Sequence, residues 1–138
     1  MRYIDAIKEQ GRDANPFFTL MGIEVVSFCE GQGTIRMNVM PSMTNGEGWL
    51  QGGIFSALAD EAMVLAIYPL LEKEETIATI SETTQFFSGV REGALLAEGT
   101  VMKRGRRVVF AEGFVREEKG GKVLSRTSAT FAVIPHER

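Results

Sequence analysis

Residues 51–71 read QGGIFSALADEAMVLAIYPLL, and the organisation of the chain turns on them. Good helix formers dominate residues 54–67, and Pro69 predicts where that helix ends. Between Gly48 and Leu71 the only charged residues are Asp60 and Glu61. Nearly every other side chain across 54–67 is apolar or serine, so the helix reads as covered around most of its circumference. A carboxylate there requires a partner, a polar crevice or a chemical task, because burying an unpaired charge is costly. The plainer reading, with Asp60 and Glu61 together at a solvated helix edge, stays open at this point.

Outward from that helix, the C-terminal half holds four strand-like segments at 76–87, 94–103, 107–117 and 122–133. The links between them, GVREG, KRGRR and EEKGG, are short and turn-forming, which favours antiparallel neighbours. No alternation of strands and helices occurs in this half, which argues against a doubly wound sheet. Upstream, SMTNGEGW is a turn-rich loop holding Asn45, Gly46 and Gly48. TIRMNVMP alternates through Ile35, Met37 and Val39 and stops at Pro41, as a strand with one covered face does. Residues 23–28 also favour a strand. Tyr3 to Gln10 reads as a short amphipathic helix, and Asn15-Pro16 as the cap and first position of a brief helical turn closed by Gly22. One long covered helix beside an antiparallel sheet predicts an α+β domain spanning residues 1–138, its sheet wrapped around the helix.

Bulk composition narrows the function classes. The chain has 138 residues, 44% of them hydrophobic and 24% charged, which suits a single globular domain that needs no disulfide or metal to hold it together. A formal net charge of −3 gives no general drive toward nucleic acid. Cys29 is the single cysteine, which excludes an internal disulfide, and it reads as a small buried hydrophobe. The N-terminus has the wrong composition for a signal peptide, and no uninterrupted apolar run approaches the roughly 20 residues of a membrane span. A cytoplasmic protein without membrane or nucleic-acid partners is expected. No HExxH or paired-cysteine motif points to a metal, and His136 reads as an exposed residue outside any ligand set. Phe17, Phe18, Phe86, Phe87, Phe110, Phe114 and Phe131 read mostly as core or subunit-interface residues.

The ordered set Asn45, Gln51-Gly52-Gly53 and Leu58-Ala59-Asp60, with the later Gly105-Arg106 turn, resembles the hotdog-fold acyl-CoA thioesterases. Within that family it is most similar to the phenylacetic-acid-pathway type. The resemblance covers roughly residues 22–133. It implies an antiparallel sheet around a long central helix and hydrolysis of acyl-CoA without a metal or organic cofactor. It also implies a homodimer, or a dimer of dimers, with each site shared between subunits. One position departs from the pattern: where the family has His before the glycine pair, this chain has Gln51. That substitution supports an alternative, a hotdog protein that binds acyl-CoA or acyl carrier protein without hydrolysing it. A hotdog dehydratase is disfavoured because the motif carries no His.

Chemistry gives each candidate a role and a plainer counterpart. A helix N-terminus offers unpaired N–H groups and the positive end of the dipole, so the Gly52 N–H suits an oxyanion donor. Gly53 would permit tight entry into the helix; both glycines also suit a simple turn. Asp60 is the expected base or nucleophile. It lies about 12 Å along the helix from Gly52 at roughly 1.5 Å per residue, so the implied site pairs Asp60 of one subunit with Gly52 of another. Glu61, about 100° further around the helix, misses the family position. Gln51 and Asn45 would bond to thioester or water, or brace the loop. Thr79, or Ser81 two residues along, is the expected strand hydroxyl assisting the acid. Trp49 would line the acyl pocket or simply pack. Lys103, Arg104, Arg106 and Arg107 form the one concentrated basic cluster; the resemblance sets it near the phosphates of coenzyme A, and a solvated hairpin tip is the alternative.

Overall fold

The computed structural model describes residues 2–135. Helices α1 (Tyr3–Gln10) and α2 (Pro16–Met21) precede strands β1 (Glu24–Cys29) and β2 (Gln32–Asn38). Helix α3 (Gly52–Ile67) follows, and a 3-10 turn over Tyr68–Leu70 leads to β3 (Glu75–Phe86), β4 (Ala94–Arg104), β5 (Val108–Glu117) and β6 (Val123–Pro135). The strands form one six-stranded sheet in the order β1-β2-β4-β5-β6-β3. Every neighbouring pair is antiparallel. Helix α3 touches all six strands, so this is the hotdog arrangement of a sheet wrapped around a central helix.

Three glycines explain how the helix fits. Gly33, Gly99 and Gly113 are direct cross-strand partners on β2, β4 and β5, and together they make a bare row beneath α3. A Cβ at Gly99 would lie 2.5 Å from the Ala62 carbonyl, one at Gly33 2.7 Å from the Ala62 oxygen, and one at Gly113 2.9 Å from the Ala59 Cβ. These positions are glycine because backbone meets backbone there. On either side of the row the strands alternate, with Ile35 and Met37 of β2 and Val109, Ala111 and Val115 of β5 buried. Helices α1 and α2 close the β1–β2 end of the core through Ile4, Ile7 and Phe18, each side chain stabilising by about 1.5–3 kcal/mol on burial.

By length and composition, residues 52–70 are apolar enough to cross a membrane, although Asp60 and Glu61 interrupt the run. The physical reason is the covered position of α3: a core helix enclosed by a curled sheet needs the same composition. The helix begins at Gly52, ahead of the run of strong helix formers at 54–67. Gln51 caps it by accepting a hydrogen bond from the Gly53 N–H at 2.6 Å, which draws both glycines into the first turn.

Strand β3 departs from simple alternation. Its register against β6 slips between Thr79, opposite Phe131, and Ser81, opposite Thr130. Ile80 is the extra residue of this bulge and is 58% exposed. Before the bulge Thr79 shares a face with the buried Phe131; after it, Glu82 and Thr84 take that face, opposite Ala129 and Thr127. The even-numbered residues thereby turn inward.

Candidate functional site

The side of α3 away from the glycine row runs along β3 in the opposite direction. Ser56 lies within 2.8 Å of the Thr84 hydroxyl, and Thr84 within 2.8 Å of the Thr127 hydroxyl. One turn further along the helix, Asp60 Oδ1 accepts from the Thr79 hydroxyl at 3.5 Å, the outer limit of such a bond. Three turns beyond Ser56, the Tyr68 hydroxyl meets Thr76 at 2.9 Å. A seam of polar side chains therefore separates this helix face from the strand.

Glu82 completes the seam and was not anticipated from the sequence. It shares the inward face of β3 with Thr79, whose hydroxyl bonds Asp60, so the Glu82 and Asp60 carboxyls are neighbours. Desolvation first, and then the bond to Asp60 and its charge, push Glu82 up to about 8. Glu82 is exposed as a whole residue on the edge strand. Even alternation from Thr79 would aim Glu82 away from α3. The bulge reverses this, and nothing in TISETTQF marks a bulge at Ile80. The same slip puts Ser81 on the outer face, where its hydroxyl lies 2.9 Å from that of Thr130.

At the other end of α3, Gly52 occupies the first helical position, whose N–H has no intrahelical acceptor. A Cβ on Gly52 would stand 3.6 Å from the Phe86 ring, so an aromatic wall flanks this N–H. The Gly53 N–H is taken by the Gln51 cap, and a Cβ on Gly53 would lie 2.8 Å from that cap oxygen. Asn45 braces its loop: its Oδ1 accepts from the N–H groups of Glu47 at 3.0 Å and Trp49 at 3.1 Å. Asp60 and Gly52 thus occupy different turns of one helix, and no single carbonyl reaches both within the chain.

The sequence profile of the thioesterase superfamily matches residues 47–124, from the loop after Asn45 through α3, β3, β4 and β5 to the start of β6. The chain belongs to the thioesterase superfamily. Among individual proteins, a provisionally named esterase of Halobacterium salinarum is 30% identical over 105 residues, 72% of this chain and 69% of that protein. A solved thioesterase from Haemophilus influenzae superposes with a TM-score of 0.82 at 27% identity, covering 90% of this chain and 86% of its own. A Ralstonia eutropha protein described as related to phenylacetic acid degradation shares the fold, with a TM-score of 0.85 at 18% identity over 95% of this chain and 99% of its own.

Other expected positions of this thioesterase-superfamily chain are distributed as follows. Arg104 is turned into the fold, donating to Glu75 at 2.8 Å and to the carbonyls of Gly105 and Arg106. Lys103, Arg106 and Arg107 remain exposed at the β4–β5 hairpin tip. The tip adjoins the Thr79 end of β3, since Val109 pairs with Phe131 and Phe131 with Thr79. Gly52 adjoins the far end, where Phe86 pairs with Ser125 and Ser125 with Val115. Six residues along β5 separate these two levels, about 20 Å at roughly 3.3 Å per residue. Trp49 is held between Gly89 and the Arg91 guanidinium, which lies 3.9 Å from its ring centre.

Glu61 faces a different neighbourhood from Asp60. Asn15 Nδ2 donates to it at 3.2 Å and to the Tyr3 hydroxyl at 2.9 Å. Burial, then the Asp60 charge, push Glu61 up to about 6, against the lowering bond from Asn15. Burial likewise pushes Tyr3 up to about 12. The two acids therefore do not share one solvated edge. Cys29 is exposed at the end of β1, contrary to the buried site expected, because it falls on the outermost strand just before the turn. Phe18 and Phe131 are buried in the core, whereas Phe86 and Phe87 are each 57% exposed. Among the described residues no group of three His, Cys, Asp or Glu side chains could hold a metal ion, and His136 lies outside the described residues.

Proposed function

We propose that this protein hydrolyses acyl-CoA thioesters, with Asp60 as base or nucleophile and the Gly52 N–H as oxyanion donor. The observation that carries this reading is the placement of Asp60: a carboxylate on a core helix, bonded to Thr79, at the edge of a sheet whose superfamily acts on thioesters. Gly52 N–H suits the developing oxyanion because it lacks an intrahelical acceptor and no Cβ blocks approach to it. Gln51, with its Oε1 committed to the cap, would offer its Nε2 amide to the thioester. Asn45 shapes the loop before it, and Gly53 gives room for the cap.

The reading requires two copies. Among the described residues strand β3 is the last strand of the sheet and has no partner beyond it, with Ile80, Phe86 and Phe87 exposed along or just after it. Two chains paired along β3 would bring Asp60 of each toward Gly52 of the other, giving a homodimer, with a dimer of dimers as the larger assembly. Within the superfamily we favour the phenylacetic-acid type, acting in the cytoplasm as a single domain without metal or organic cofactor. No role for nucleic acid or membrane enters this reading. Lys103, Arg106 and Arg107 would meet the phosphates of coenzyme A, while Arg104 holds the hairpin to Glu75. Trp49 and Phe86 would wall the acyl group.

Thiol release from a panel of phenylacetyl-, hydroxybenzoyl-, short-chain and long-chain acyl-CoAs tests this directly, with Asp60→Asn run alongside. Loss of the general base predicts a fall in kcat of about 10²–10⁴-fold, with the fold retained. No turnover by folded wild type across the panel would support acyl-CoA or acyl-carrier-protein binding without hydrolysis. Turnover that survives Asp60→Asn would discard this mechanism.

A further inference from the structure

We infer that Asp60 and Glu82 act as one unit sharing a single proton, with neutral Glu82 as the positioning residue that orients the Asp60 carboxylate. This deepens the thioesterase reading and rests on it for its catalytic meaning. The geometry brackets Glu82 from both sides. Thr84, two residues after it on the same face, bonds to Ser56; Thr79, before the bulge, bonds to Asp60 one helical turn on. Glu82 lies between them on that inward face, beside Asp60. The bulge at Ile80 has one clear chemical result: it brings a second carboxyl to a place that already holds one.

Two carboxyl groups in contact with no cation between them cannot both ionise cheaply, so one keeps its proton. Among the described residues, the groups facing the pair from α3, β3 and β6 include no cation. From α3 the groups on this side are Asp60 itself and, next around the helix, Glu61, whose charge couples to Asp60. From β6 the facing residues are Thr127, Ala129 and Phe131, all without charge, while Arg126 is on the outer face paired with Glu112. On β3 itself Thr79 and Thr84 flank the position. Neutral Glu82 donates O–H to the Asp60 carboxylate, and the Thr79 hydroxyl donates to the same carboxylate. The two donors together set the orientation of the Asp60 carboxyl, as a base or nucleophile requires. As pH rises past the Glu82 titration, the donor becomes a second anion and the two carboxylates push apart.

The test combines pH–rate profiles with a readout that needs no turnover. The best acyl-CoA of the panel is followed from pH 6 to 10 by wild type, Glu82→Gln and Glu82→Ala. Wild type is expected to lose kcat on the alkaline side with a midpoint near 8. Glu82→Gln keeps a neutral donor, so it should stay active and lose that alkaline limb. Glu82→Ala should fall roughly ten- to a hundredfold in kcat with KM little changed, as loss of a hydrogen bond to a charged group predicts. In parallel, ¹³C-carboxyl NMR of the whole protein, with the Glu82 resonance identified by its loss in Glu82→Gln, should show a midpoint far above the ordinary glutamate range. In Asp60→Asn that midpoint should move back down. An alkaline limb unchanged in Glu82→Gln, or a Glu82 midpoint in the ordinary range, overturns the inference. A raised midpoint in a protein that hydrolyses no acyl-CoA leaves the shared proton standing and removes the thioesterase reading instead.

Discussion

The two sides of α3 pack by opposite rules. Against β2, β4 and β5 the helix backbone presses onto bare glycine, leaving no space for a methyl group. Against β3 it stands off behind Ser56 and Asp60, and the turn after it behind Tyr68, each meeting a polar partner on the strand. The dry side depends on shape, and its tolerance is measured in tenths of an ångström. The polar side depends on hydrogen bonds and charge. One helix serves both because its circumference is divided: Ala59, Ala62 and Ala66 toward the glycine row, Ser56 and Asp60 toward β3, and Glu61 toward the N-terminal helices.

Gly99→Ala attacks the dry side and should have the largest effect on stability. Its new Cβ would meet the carbonyl and amide backbone of α3 at 2.5 Å, where no flexible side chain can yield. Overpacking of this kind costs about 1–3 kcal/mol or more, and backbone contact favours the upper end. Urea unfolding should show a lowered midpoint with an unchanged slope. A variant as stable as wild type would mean that helix and sheet are not in this contact.

Thr84→Val attacks the polar side. Thr84 is the middle of the Ser56–Thr84–Thr127 hydroxyl chain, and Thr127 is fully buried. Removing the middle hydroxyl strands a buried group at a cost of about 1–3 kcal/mol, even though the shape is kept. The same measurement should therefore show a loss no larger than that of Gly99→Ala. A larger loss would reverse the ranking of the two sides.

Glu61 gives the smallest effect and the clearest sign. Its folded value of about 6 stands above the ordinary 4.5, so the protonated form is favoured by folding. Stability from this group is fully present below pH 4.5 and is lost as pH rises through about 6. Glu61→Gln should abolish that decline and leave the protein about 1–2 kcal/mol more stable than wild type at neutral pH. Thermal melts from pH 4 to 7 read this directly; parallel curves for both proteins would place the Glu61 carboxyl in water.

Much of this contrast was legible from residue types. The apolar run after Gly53 with two isolated acids announced a covered helix, and the evenly spaced glycine-rich links announced antiparallel strands. Asp60, Gly52 and the loop at Asn45 were all picked out by motif. Glu82 was hidden because its inward position depends on a one-residue slip, and Ile80 in ETIATISETT carries no glycine or proline to flag it. The glycine row was hidden for a different reason. Gly33, Gly99 and Gly113 sit far apart in the chain and become one feature only when the sheet aligns them. Arg104 looked like part of a free basic cluster, since its ion pair with Glu75 joins residues 29 positions apart.

The exposed Cys29 has a practical consequence. It is the only thiol in the chain and stands on β1, the edge of the sheet opposite β3. If two copies join along β3, a spectroscopic label on each thiol would mark the two far rims of a continuous twelve-stranded sheet. At roughly 4.8 Å per strand those rims are about 50 Å apart before curvature. Such a label reports on assembly from a place that neither substrate nor partner needs to touch.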